Sequence, residues 1–110
     1  MQAKQAKRHM TDKWDVEISN DAKKQIGKLS SRFANAAALL ILDLADKGPA
    51  LPDWPNYGPL KGKKSDLRHC HLAKNSKPVY VAVWQVFERP AKILVRQIKT
   101  HEKTDYKNMQ

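Results

Sequence analysis

The chain reads as an α+β domain: an N-terminal strand, then a two-helix hairpin packed on a small antiparallel sheet of about four strands. Three observations predict this. Over residues 33–45 the run FANAAALLILDLA is rich in strong helix formers and sets Phe33, Ala37, Leu40 and Leu44 on one stripe. Over residues 79–86 most positions are β-branched or aromatic and none is charged, as in a central strand covered on both faces. A polar Asn/Ser/Pro turn joins that strand to an earlier apolar-rich run, so residues 66–86 form a β-hairpin.

Residues 1–13 are polar and basic without hydrophobic period, which predicts a flexible tail ahead of a single domain over 14–110. Residues 14–18 (WDVEI) alternate apolar and acidic side chains, a short half-buried strand with Trp14, Val16 and Ile18 inward. Ser19 or Asn20 then caps a helix. Asp21 lies beside its positive end, and Ala22, Ile26 and Leu29 recur at i, i+4 and i+7, while Gly27 weakens it. Ser30 and Ser31 offer a cap for the second helix, whose stripe Ala36 and Ile41 widen until most of its surface should be buried. Lys47, Gly48 and Pro49 end it.

The loop over 48–59, GPALPDWPNYGP, holds four prolines and two glycines, and Trp54 and Tyr57 can pin it to the body. LKGKK, residues 60–64, follows with three lysines around a glycine, either a phosphate-contacting lip or a solvated turn. Past the central strand, ERPA (88–91) is a turn. Residues 93–98 are a third strand of the sheet, in which Arg96 and Gln97 interrupt the apolar pattern.

At 110 residues the chain makes about one domain. It carries 21 Lys and Arg against 11 Asp and Glu, net +10, spread through every segment, so a polyanion is its natural partner. No apolar run approaches the roughly 18 residues of a spanning helix. The N-terminus has the charge of a signal peptide without its apolar core, and the single cysteine, Cys70, has no intrachain partner. Both predict a cytoplasmic protein.

The strand before the central one is unusual. Period-two alternation sets His69 and His71 on one face and Arg68, Cys70 and Leu72 on the other. An antiparallel sheet can bring His101, just past the last strand, beside that histidine pair. Imidazoles titrate near neutrality, so two of them can take a proton from one group and give it to another. RNA cleavage needs such a pair, one group to activate the ribose 2′-hydroxyl and one to protonate the leaving 5′-oxygen, with cations to offset the phosphorane charge. Lys61, Lys63, Lys64, Lys77 and Lys103 are candidate cations, and Tyr106 could bond or stack on a splayed base. Two other readings stay open: a strand with an ordinary polar face, and a zinc site from His69, His71 and His101, for which no carboxylate or thiolate completes the set. Cys70 points away from both histidines and reads as a small buried apolar residue. Tyr80 and Trp84 share a core-facing side of the central strand.

In segment order and tail motif the chain resembles the RelE/ParE superfamily, the toxins of bacterial toxin–antitoxin modules. The likeness runs from Trp14 to Tyr106: the strand WDVEI, two helices, the turn Leu60, Lys61, Gly62, the strands LRHCHL and PVYVAVWQV, and the terminal THEKTDY. It implies a RelE-like fold and a metal-independent, cofactor-free endoribonuclease that cleaves mRNA, often on the ribosome. It also implies a small antitoxin that lays a helix over the fold and masks the basic face, with the toxin a monomer or dimer in that complex. Under the resemblance His69, His71, His101, Lys103 and Tyr106 are the catalytic set. Lys61, Lys63, Lys64, Arg68, Lys77 and Arg96 bind RNA phosphates. One departure stands out: many RelE-type nucleases have arginine after the tyrosine that opens the central strand, and here Val81 follows Tyr80. The cation then has to come from Lys77, Arg68, Arg96 or Lys103. The ParE branch shares the fold and poisons gyrase instead, and a basic module that binds nucleic acid without cutting it is a further alternative. The three histidines argue against the ParE branch.

Overall fold

A computed structural model describes residues 14–62 and 64–100. The elements are β1 (Asp15–Ile18), α1 (Asn20–Gly27), α2 (Ser31–Lys47), β2 (Gly58–Pro59), β3 (Leu67–His71), β4 (Tyr80–Glu88) and β5 (Ala91–Thr100). The fold is α+β, with five strands in one sheet in the order β1-β5-β4-β3-β2. The expected sheet of about four antiparallel strands is therefore five-stranded and mixed. β1 runs parallel to β5, with Val16 opposite Ile93. A parallel pair needs a long connection, and every other element lies between these two strands in sequence. The added strand, β2, is two residues of the proline-rich loop that pair with β3, Gly58 opposite His69. A proline is tolerated there because β2 is an edge.

Both helices lie on one side of the sheet. The Ser19 hydroxyl accepts from the Ala22 N–H at 3.0 Å and donates to the Arg96 carbonyl at 2.9 Å, so the cap of α1 also fixes it to β5. Gln25 repeats the tie, its Oε1 accepting from the Ile98 N–H at 2.6 Å. α2 buries the stripe read from its sequence, Phe33, Ala37, Leu40 and Leu44. Its other side does not follow the expectation of burial over most of the surface: Leu39 is 54% and Leu42 60% exposed. The helices form a single layer, and no described element lies outside it. At the end of α2, Gly48 has φ +91, and a Cβ there would lie 2.7 Å from Trp14 Nε1. Glycine is required on both counts.

The proline-rich loop is held by its aromatics, as expected. Trp54 Nε1 donates to Asp43 Oδ2 at 2.8 Å, and Tyr57 stacks on Trp84 with ring centroids 6.1 Å apart. Trp84 itself is fully buried on β4 and donates from Nε1 to the Pro49 carbonyl at 3.2 Å. β4 is the middle strand of the sheet, as its uncharged sequence required.

Candidate functional site

Residues directly opposite one another on neighbouring strands share a face. Two three-residue rows follow from the registers. His69 lies opposite Val83, which lies opposite Gln97; His71 lies opposite Val81, which lies opposite Lys99. Both rows are on the side away from the helices. The helix-side core takes Cys70, Leu72, Ala82, Trp84, Ile93, Val95 and Ile98, whereas Leu67, Val81 and Val83 form a separate small cluster against Leu60.

A β-bulge decides what β5 contributes. Trp84 pairs with Val95 but Val83 pairs with Gln97, so Arg96 is an extra residue on β5. Before it, Ile93 and Val95 point toward the helices; after it, Ile98 does. The parity switch turns Lys99 to the histidine face, where unbroken alternation would have pointed it into the core. Arg96 falls on that face too and donates from Nη1 to Gln85 Oε1 at 2.8 Å.

His69 is oriented by β2. Its Nδ1 lies 2.9 Å from the Gly58 carbonyl oxygen. A carbonyl only accepts, so Nδ1 carries the hydrogen and the neutral ring keeps its free lone pair on Nε2. Gln97 is 9% exposed, and its Oε1 is buried with no hydrogen-bond partner. An orphaned acceptor of this kind costs about 1–3 kcal/mol.

No family model and no curated protein matches the chain. Solved structures do match. A metal-bound toxin from Helicobacter pylori is 21% identical with a TM-score of 0.64, over 84% of this chain and 100% of that one. The archaeal RelE–RelB complex from Pyrococcus horikoshii OT3 gives 19% identity and a TM-score of 0.65, over 86% and 100%. The E. coli DinJ–YafQ toxin–antitoxin complex gives 19% and 0.63, over 81% and 93%. This is the RelE-like toxin fold.

On the RelE-like sheet the residues singled out in the sequence separate into groups. His69 and His71 share the face away from the helices, and Arg96 joins them through the bulge. Arg68 stands apart, on the helix side opposite Trp84. Its Nε and Nη2 donate to the two Asp66 carboxylate oxygens at 3.0 Å each, and Nη1 donates to the Tyr57 hydroxyl at 3.1 Å. The bond to Asp66, and then that to Tyr57, hold this guanidinium above its ordinary pKa, so its charge is already engaged. Lys61 and Lys64 are exposed in the turn before β3, and Lys77 is exposed in the turn after it. Lys63, His101, Lys103 and Tyr106 lie outside the described residues. Cys70 is fully buried, and burial pushes its thiol up to about 12, which suits a packing residue rather than a nucleophile. Among the described residues no group of three or more His, Cys, Asp or Glu could hold a metal ion.

Lys99 is the residue that sequence reasoning missed. It is the cross-strand partner of Val81, the position at which the resemblance called for arginine. Its only sequence signal was the Arg96–Gln97 interruption, which marks the bulge.

Proposed function

We propose that the protein is the toxin of a bacterial toxin–antitoxin pair and an endoribonuclease acting on mRNA in the cytoplasm. One observation carries this reading: the sheet face opposite the helices holds two histidines, with Lys99 in the row of His71, in a chain of net charge +10. His69, with Nε2 open, suits the base that takes the 2′-hydroxyl proton, and His71 the acid. The 2′-oxygen then bonds to phosphorus, the bond from phosphorus to the 5′-oxygen breaks, and the acid supplies that oxygen with a proton. The ends are a 2′,3′-cyclic phosphate and a 5′-hydroxyl. Lys99, across Val81 from His71, offsets the charge growing on the non-bridging oxygens. His101, Lys103 and Tyr106 complete the set that the resemblance implies.

The partner in this reading is a small antitoxin. Two of the solved structures with this fold, DinJ–YafQ and RelE–RelB, are complexes of that kind, which supports the expectation. The test is incubation of the purified protein with free RNA and with translating ribosomes, mapping new 5′-hydroxyl ends. Cutting that His71→Ala and Lys99→Met each reduce is the expected result. Absence of cutting in both settings sinks the enzyme, and growth arrest that survives alanine at His69, His71 and His101 assigns a non-catalytic toxin instead.

A further inference from the structure

We infer that Gln97 reads a base: its side-chain amide pairs with the N6/N7 edge of an adenine in single-stranded RNA. This rests on the RNA reading above and adds a specificity residue to the same face. Buried polar groups are almost always bonded, so a buried carbonyl without a partner calls for a reason. Gln97 is 9% exposed, its Oε1 has no partner, and the bulge has turned it to the face of His69 and His71.

Its position fits a nucleotide. Gln97 shares a row with His69, across Val83. The neighbouring row, with His71 and Lys99, lies two residues along the strands, about 6.7 Å away. A base can thus meet Gln97 while the adjoining phosphate sits between His71 and Lys99. The amide also restricts the ligand to an edge that sets a donor beside an acceptor. It offers one acceptor beside one donor group, so a phosphate, which only accepts, or an arginine, which only donates, would leave half of it unused. Adenine presents the complement, a donor at N6 beside an acceptor at N7, whereas the same edge of guanine carries two acceptors. Arg96 does not compete, because its Nη1 is committed to Gln85. Turning outward through its own torsions, the Gln97 amide exchanges an unbonded state in the free protein for a bonded one in the complex.

The test is a double-mutant cycle between protein and RNA, read by fluorescence anisotropy on the full chain. The probes are short 2′-O-methyl oligoadenylates, which cannot be cut by 2′-hydroxyl attack, with purine riboside replacing adenosine at one position at a time. Purine riboside lacks the 6-amino group. The wild type is expected to lose about tenfold in affinity at one position, a step of about 1.4 kcal/mol. Gln97→Met should bind both oligomers equally and, having shed an orphaned acceptor, melt about 4 °C or more above the wild type. An equal loss in both proteins, or a lower melting temperature for Gln97→Met, overturns the inference. Should that variant fail to fold, Gln97→Glu takes its place: it keeps the acceptor and should keep the 6-amino discrimination at lower overall affinity, and losing it is a contrary result. A wild type that binds RNA without discriminating removes Gln97 and leaves the RNA reading standing. One that binds no RNA removes both.

Discussion

The two faces of the sheet are made by the same strands and are built differently. Under the helices, side chains of β3, β4 and β5 meet Phe33, Ala37, Leu40 and Leu44 in one continuous apolar core. On the far side the buried apolar set shrinks to Leu67, Val81 and Val83, with Leu60 against them, and the positions around it are His69, His71, Arg96, Gln97 and Lys99. The covered face holds the fold together. The far face tolerates imidazoles, two cations and an orphaned carbonyl because its share of the apolar packing is small. A single extra residue, Arg96, assigns β5 side chains to one face or the other.

Substitutions across the sheet test this division. Trp84→Ala, on the covered face, should lower unfolding free energy by about 3–5 kcal/mol in urea titration. Val83→Ala, next to it but facing the other way, should cost less, and the reverse order would break the comparison. Lys99→Met should reduce the cleavage rate about 100-fold while changing stability by less than about 0.5 kcal/mol. It should also lower the slope of log affinity against log salt by about one. Arg68→Met is the control from the covered side. Its charge is held by Asp66 and Tyr57, so RNA affinity and salt slope should stay as they are, at a stability cost of about 0.2–1 kcal/mol.

A pH scan tests the covered face at Cys70. Burial raises its thiol to about 12 in the folded chain, against about 8.5 when unfolded. The unfolded state therefore gives up this proton first as pH rises. The contribution is fully present below about pH 8.5 and is lost as pH climbs toward about 12. Thermal unfolding of the wild type should show a decline over that window that Cys70→Ala flattens, and an identical decline in both would contradict the assignment.

How far each face could be read from the sequence follows from the same contrast. The stripe on α2, the cap at Ser19, the stop at Gly48 and the hairpin around β3 and β4 were legible because each rests on local periodicity or turn chemistry. His69 and His71 were placed on one face correctly because β3 alternates without interruption. The exposed flank of α2 was misread, since Leu39 and Leu42 look the same in sequence as the leucines beneath them. Pairing of β1 with β5 was missed because nothing local encodes a contact between the two ends of the described fold. Beyond the bulge, parity fails. Arg96 and Gln97 could be seen to break the pattern, but not that they would carry Lys99 to the histidines.

In the function proposed here RNA meets the face away from the helices. The most direct measurement is titration of the isotope-labelled protein with single-stranded 2′-O-methyl RNA, following backbone amide shifts by NMR. The largest changes are expected at His69, His71, Gln97 and Lys99, with Leu39 and Leu42 on α2 unmoved. Changes concentrated on α1 and α2 instead, with those four amides still, would contradict it.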